Sequence, residues 1–139
     1  MQPATNACVI DTSAVVAIRF REPEAETFAV RLGASPYRIL PPSCIVEFCM
    51  LQKIGRDLGE WVANFLDEYE VTVLPMSPEI AWIAAGAATR FGRGSGHPAK
   101  LNFGDCMSYA FARHLGAPLL FKGDDFIHTD IVPALETGS

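Results

Sequence analysis

The sequence predicts an α/β fold, a three-layer α/β/α sandwich around a mostly parallel central sheet. Short apolar runs with strand character alternate along the chain with longer stretches of helical character. This alternation is typical of βαβ units, in which helices cover both faces of a parallel sheet. Half of the 139 residues are hydrophobic, so the chain can bury a core and is not expected to be disordered.

The whole chain, 1–139, is expected to form one domain with flexible tails at 1–6 and 136–139, because single domains average about 150 residues. Its net charge of −5 disfavours non-specific nucleic-acid binding unless the acids surround a cation. No apolar stretch reaches the ~18 residues of a membrane helix, and no signal peptide is evident at the N-terminus. We therefore expect a cytoplasmic protein without a membrane partner. The four cysteines lack zinc-site spacing and are expected to be buried hydrophobes.

The first strand and helix meet at Asp11. The apolar run at 7–10 predicts a buried strand that stops at this acid. The apolar residues that follow predict a helix, which the hydroxyl of Thr12 or Ser13 can cap. Asp11 is therefore expected at the C-terminal end of a strand, the edge at which open α/β sheets bind ligands.

Two helices separated by a strand are predicted next. Pro23 suits the first turn of a helix over 23–32, because its missing N–H is not needed there. A strand at 37–40 is closed by two prolines. Ser43 opens a helix over 44–54, which is apolar on nearly every face and is therefore expected to be buried.

The middle of the chain predicts a helix, a strand and a second helix. Apolar residues recur at helical spacing over 60–68, and the run at 71–74 has strand character. A helix is predicted over 78–91, since Ser77 can cap it and Pro78 fits its first position.

The C-terminal part predicts one more helix and one more strand. The helix spans 106–115, with Asp105 as its cap, and the strand spans 118–122. The segment 130–132 can add a short edge strand.

Five acids are candidate site residues: Asp11, Glu47, Asp105, Asp124 and Asp125. Because parallel strands end at one edge of a sheet, Asp11 and the Asp124/Asp125 pair are expected to share that edge, and the two helix acids could lean over it. Carboxylates so close repel each other unless a cation lies among them. Mg²⁺ suits such oxygen ligands, and Mn²⁺ is the alternative.

Two of these acids have structural alternatives. Glu47, the only charge within its apolar helix, can lie at the helix edge, facing water or bridging to Lys53 or Arg56. Asp105 can act as a cap, which does not exclude a metal-facing role.

A divalent ion held by carboxylates, without a serine or cysteine nucleophile, suits phosphodiester hydrolysis. The ion lowers the pKa of a bound water and stabilises charge that develops at phosphorus. Thr12 and Ser13 are expected to hold an acid or a metal-bound water by hydrogen bonds.

At this point the sequence resembles a known family. Four segments carry the resemblance: Val9-Ile10-Asp11-Thr12-Ser13, the helix acid Glu47, Gly104-Asp105 followed by Ala110, and Leu120-Phe121-Lys122-Gly123-Asp124-Asp125-Phe126 ending near Thr129-Asp130. Their order and spacing, from residue 9 to about 132, resemble a PIN-domain ribonuclease, in particular the toxin of a VapBC toxin–antitoxin pair.

The resemblance implies an Mg²⁺- or Mn²⁺-dependent endoribonuclease that acts on RNA, an antitoxin of the VapB type that blocks the acidic pocket, and a toxin homodimer. It also implies that Asp11 and Asp105 are the principal metal ligands and Glu47 is the helix acid. Asp124 or Asp125 supplies the fourth acid, with a slight preference for Asp124.

Four basic residues are candidate RNA contacts. Arg90, Arg93 and Lys100 flank the glycine-rich loop at 92–96, and Lys122 follows the last predicted strand. The loop is either a solvated surface loop or a rim that contacts phosphates.

Two other functions remain open. A PIN-like module could bind RNA or protein without catalysis. A dehalogenase-like phosphatase also starts with a strand that ends in Asp, but its mechanism needs a second acid two residues later, where this chain has Ser13.

Overall fold

A computed structural model describes residues 6–135. In chain order, its strands and helices are β1 (Ala7–Ile10), α1 (Thr12–Arg19), α2 (Ala25–Gly33), β2 (Tyr37–Leu40), α3 (Pro42–Cys49), α4 (Leu58–Glu68), β3 (Val71–Val73), α5 (Pro78–Phe91), α6 (Phe103–Leu115) and β4 (Leu119–Leu120). The four strands form one parallel sheet in the order β3-β2-β1-β4. The predicted tails at 1–6 and 136–139 lie outside the described residues, except for Asn6.

The sheet separates two hydrophobic cores, and the central strand β1 contributes to both. Ala7 and Val9 pack with α5 and α6, whereas Cys8 and Ile10 pack with the side chains of α1, α2, α3 and α4. All four residues are buried, as expected for a parallel strand covered on both faces. The predicted three-layer α/β/α arrangement is thereby confirmed.

Several elements agree with the sequence to the residue. Both ends of β1 and β2 match the predictions at 7–10 and 37–40. Helix α5 spans the predicted range, and the Ser77 hydroxyl accepts a hydrogen bond from the Ile80 N–H at 3.2 Å. These elements have strong local signals, because apolar runs or cap residues mark their ends.

The start of α2 differs from the prediction. The helix begins at Ala25 instead of Pro23, and its N-cap, Glu24, makes no side-chain capping hydrogen bond. The chain between α1 and α2 first turns through Arg21, whose φ is +54°, and the Ala25 N–H bonds to the Glu22 carbonyl. This local turn occupies the residues that the sequence assigned to the helix.

Helix α3 is shorter and more exposed than predicted. It spans Pro42–Cys49 instead of 44–54, and Val46 and Met50 are 63% and 75% exposed. Only a stripe that contains Cys44 and Phe48 is buried. The prediction that this helix is buried because it is apolar on nearly every face is therefore wrong, since apolar residues can also line a solvent-exposed face.

The last strand is also shorter than predicted. β4 contains two residues instead of 118–122, and 130–132 forms no strand. The C-terminal segment pairs with β4 through one residue: the Leu119 N–H donates to the Val132 carbonyl, and the Leu119 carbonyl accepts from the Ala134 N–H. In the part of the chain that the structure describes, no helix combines the length and apolar character needed to cross a membrane.

Candidate functional site

Asp11 follows β1 and caps α1. Its carboxylate Oδ2 accepts hydrogen bonds from the Ser13 N–H at 3.0 Å and from the Ser13 hydroxyl at 2.6 Å. The cap is therefore Asp11, and the prediction that Thr12 or Ser13 caps the helix is wrong. A short carboxylate one residue before the helix reaches the free N–H groups of the first turn as well as a hydroxyl does.

The other oxygen of Asp11 is held from inside the core. Oδ1 accepts a hydrogen bond from the Ser108 hydroxyl of α6 at 2.5 Å. Asp11 is only 5% exposed, and Ser108 is fully buried. Both carboxylate oxygens are thus fixed by hydrogen bonds, which orients the group before any ligand binds.

Ser108 is not among the site residues that the sequence predicts. The residue lies in the apolar part of α6, three residues after Asp105, and therefore on the same side of the helix. A serine that interrupts a buried apolar stripe needs a hydrogen-bond partner, and this signal was available in the sequence.

Glu47 projects from α3 and is partly buried. Its Oε1 accepts a 2.6 Å hydrogen bond from the Thr12 hydroxyl at the start of α1. Burial raises the pKa of the Glu47 carboxyl; the Thr12 hydrogen bond opposes this effect, and the charge of Asp11 adds to it. Its observed partner is therefore Thr12, and neither Lys53 nor Arg56 forms the alternative salt bridge.

Asp105 lies in the first turn of α6, three residues after the cap. The cap is Asn102, whose side-chain oxygen accepts from the Asp105 N–H at 2.8 Å. Asp105 Oδ2 in turn accepts from the Asn102 N–H at 3.0 Å, so the two residues form a capping box. The predictions that Asp105 is the cap and that the helix starts at 106 are therefore wrong.

The acids from separate elements act on one another electrostatically. Burial raises the pKa of the Asp105 carboxyl to about 7, although the Asn102 N–H opposes the shift. The negative charges of Asp11, Asp125 and Glu47 contribute to this rise. Asp11, Glu47 and Asp125 thus lie close enough to Asp105 to disfavour its ionisation, and we call these four acids the acidic cluster.

Asp125 and Asp124 differ in their relation to this acidic cluster. Both side chains are exposed, but Asp125 is the one whose charge acts on Asp105. The Asp124 carbonyl accepts a hydrogen bond from the Ile127 N–H within the local turn. Of the two acids, Asp125 is therefore the one whose charge reaches Asp105, whereas the sequence slightly favoured Asp124.

The donor set suits a hydrated divalent cation. Within residues 6–135, no three His, Cys, Asp or Glu side chains lie close enough to ligate one ion together. Mg²⁺, however, typically binds through one or two carboxylates and keeps several waters. Asp11, buried and oriented, and Asp105, whose ionisation is disfavoured, are the residues that would hold such a cation, because a cation would favour the charged form of Asp105.

The four predicted RNA-contact residues are distributed over three places. Arg93 and Lys100 line a cavity of about 610 Å³, together with His97 and Asp125. Arg90 instead lies 4.0 Å from the Asp130 carboxylate. The Lys122 ammonium bridges two glutamates of the segment before α2, Glu22 at 2.8 Å and Glu24 at 3.3 Å.

Comparison with known proteins defines the class. The family model described as the PIN domain matches residues 8–132 of this chain, which is most of its length. The chain belongs to the PIN-domain family.

Similar relatives within that family include VapC ribonucleases. Ribonuclease VapC42 of Mycobacterium tuberculosis is 44% identical over 128 residues, which cover 91% of this chain and 98% of the relative. Ribonuclease VapC28 of the same species is 40% identical over 130 residues, which cover 92% and 98%. Among solved structures, Mycobacterium tuberculosis VapC20, described as a toxin that cleaves the sarcin–ricin loop, matches with a TM-score of 0.72 at 18% identity over 90% of this chain and 96% of that one.

Proposed function

We propose that the protein is an endoribonuclease of the VapC type, which cleaves RNA with a divalent metal ion held by Asp11 and Asp105. The observation that carries the proposal is the oriented, buried Asp11 carboxylate beside Asp105, whose pKa is raised to about 7. The metal is Mg²⁺, with Mn²⁺ as a substitute, because both prefer oxygen ligands.

The bound metal would supply a water of lowered pKa and would stabilise negative charge at the scissile phosphate. Ser13 and Ser108 hold the two oxygens of Asp11 in one orientation. Thr12 holds Glu47 beside it. Oriented carboxylates need little reorganisation when the substrate arrives, which favours catalysis.

Asp125 is the fourth acid in this proposal, with Asp124 as the alternative. It belongs both to the acidic cluster and to the cavity that Arg93 and Lys100 line. Basic side chains beside the acids can bind RNA phosphates that flank the cleaved bond. Arg90 and Lys122 can join them only by leaving their carboxylate partners, so we expect smaller contributions from these two.

The relatives support further proposals about the biological context. We infer that the chain is a single PIN domain in the cytoplasm and is the toxin of a toxin–antitoxin pair. Its partners are a VapB-type antitoxin that covers the acidic site and a second copy of the toxin. These assignments rest on the similarity to VapC proteins over 91% of the chain.

The test is cleavage of total cellular RNA by the purified protein, with Mg²⁺ or with EDTA. We expect metal-dependent cleavage that falls more than about 100-fold in Asp11→Asn, because this exceeds the usual effect of a residue that only supports a ligand. The matched control is Asp67→Asn, which changes an exposed acid on α4 and should leave cleavage intact.

Two outcomes would contradict the proposal. Cleavage that persists in EDTA, or in Asp11→Asn, would exclude the proposed metal site. Binding of RNA without any cleavage would instead support the catalytically silent module. The phosphatase alternative loses support from the geometry, because the residue two positions after Asp11 is Ser13, which donates its hydroxyl to that carboxylate.

A further inference from the structure

Gly104 lies directly beneath the carboxylate of Glu47, where α3 and α6 meet. A Cβ atom at Gly104 would be 1.9 Å from Glu47 Oε2 and 2.4 Å from Glu47 Cδ. Carbon and oxygen atoms do not approach each other this closely without a bond. The carboxylate therefore occupies the space that any other side chain at position 104 would take.

The backbone of Gly104 does not itself require glycine. The residue is in the first turn of α6, and its φ is not among the positive values of the chain. Glycine costs up to about 1 kcal/mol relative to alanine in a helix interior. Glycine is therefore needed at position 104 because Glu47 occupies the space beside its Cα, and not because of its backbone conformation.

Thr12 binds one oxygen of the Glu47 carboxylate, and Gly104 lies nearest to the other oxygen. The Thr12 hydroxyl donates to Oε1 at 2.6 Å, whereas Oε2 faces Gly104. The position also brings a negative group to the first turn of α6, where the helix dipole favours negative charge. Thr12 and Gly104 together form a seat for this carboxylate, which we call the Glu47 seat.

We propose that Gly104 is a positioning residue: the absence of its side chain lets Glu47 sit within the acidic cluster. This inference rests on the proposed function, since the cluster is taken to be the metal site. A methyl group at position 104 would push the carboxylate away, and Glu47 would lose its hydrogen bond to Thr12. The fold would tolerate the change, because the atoms that must move are at the end of a flexible side chain.

The experiment measures Mn²⁺ binding to the RNA-free protein by electron paramagnetic resonance, together with the melting temperature. Gly104→Ala should weaken Mn²⁺ binding about 10–100-fold, as is usual when the support of a metal site is disturbed. Its melting temperature should stay within a few degrees of the wild type. The matched control, Gly86→Ala in α5, has no atom within 4 Å of the added Cβ and should leave Mn²⁺ binding unchanged.

A second substitution tests whether Gly104→Ala acts through the position of Glu47 or by disturbing the metal site in general. Glu47→Asp shortens the side chain by one methylene and should recover part of the Mn²⁺ binding when combined with Gly104→Ala, although it weakens binding on its own. This non-additivity is expected for two residues in contact. Additive losses would overturn the proposal, as would a Gly104→Ala variant that binds Mn²⁺ like the wild type.

If Gly104→Ala lowers the melting temperature strongly, Glu47→Ala in the same chain should restore it, because the clash is then removed. A failure to restore it would also overturn the proposal. The outcome is distinct from a failure of the proposed function: wild-type protein that binds Mn²⁺ but cleaves no RNA would refute the ribonuclease and leave the Glu47 seat intact.

Discussion

The starts of α5 and α6 use similar local signals for different purposes. Helix α5 begins with Ser77, Pro78 and Glu79, a cap, a rigid first residue and an acid near the positive helix end. Helix α6 begins with Asn102 as its cap and continues with an exposed Phe, a Gly and Asp105. The first start contains only residues that favour a helix. The second contains a glycine that disfavours it and an acid whose ionisation its surroundings disfavour.

The difference shows where the sequence predicts the structure and where it does not. The start of α5 was predicted to the residue because every local preference there agrees. The start of α6 was placed three residues too late, because Phe103 and Gly104 are weak helix formers and Asp105 looks like a cap. Residues that serve a site are expected to break local rules in this way.

The largest expected effect on RNA cleavage comes from replacing the acid in the first turn of α6, compared with the acid in the first turn of α5. Asp105→Asn should reduce RNA cleavage more than about 100-fold, because it removes a proposed metal ligand. Glu79→Gln, at the start of α5, should leave cleavage unchanged. The measurement is the initial rate on one RNA substrate at a fixed Mg²⁺ concentration. Equal rates for wild type and Asp105→Asn would remove the functional distinction between the two helix starts.

Asp105→Asn should keep its fold, since the amide oxygen can still accept from the Asn102 N–H and preserve the capping box. Circular dichroism of the variant checks this point. A loss of helical signal would mean that the lost activity has a structural cause.

The next effect compares Ser108, which bonds to Asp11 from within α6, with Ser77, which caps α5. Ser108→Ala removes a buried hydrogen bond to Asp11 and should cost about 1–3 kcal/mol of stability, because the carboxylate oxygen is left unsatisfied. Ser108→Ala should also raise the Mg²⁺ concentration needed for half-maximal cleavage by about 10-fold or more. Ser77→Ala should cost about 1 kcal/mol through the lost cap and leave the Mg²⁺ dependence unchanged. Urea unfolding and Mg²⁺ titration of the cleavage rate measure both; identical Mg²⁺ curves for the two variants would contradict the role of Ser108.

The smallest effect concerns pH. The pKa of Asp105 is about 7 in the folded, metal-free protein, compared with an ordinary value of 3.8. Between these values the folded state holds more protons than the unfolded state, so this carboxyl lowers the free energy of unfolding as pH rises. In EDTA, Asp105→Asn should therefore gain melting temperature relative to wild type at pH 8 but not at pH 3.5. If the difference in melting temperature between Asp105→Asn and wild type did not change with pH, the folded protein would not disfavour the charged form of Asp105.

The sequence predicted the sheet better than the hydrogen bonds that hold the acids in place. The apolar run of β1 and the acid after it correctly place Asp11 at the C-terminal end of this strand, because parallel strands end at one edge of the sheet. Ser108 was missed because its role depends on a contact with a residue 97 positions away. The choice between Asp124 and Asp125 likewise depends on how the segment after β4 turns towards α6, which local preferences do not determine.

Helix α3 shows that the local sequence also fails to predict which side chains pack into the core. Its apolar composition correctly placed it against the core, but Val46 and Met50 face solvent. Composition alone does not tell which apolar residues of a helix are buried. The sequence therefore predicted that Glu47 is more deeply buried than it is in the structure. Its contact with Thr12 connects the start of α1 to α3, and this contact depends on the tertiary fold.

The most direct test of the acidic cluster is a Mn²⁺ titration of wild type, Asp11→Asn and Asp105→Asn, each without RNA. Wild-type protein should show saturable binding that each substitution weakens strongly, while all three proteins remain folded. Binding of equal strength to all three would contradict a metal site formed by these two acids.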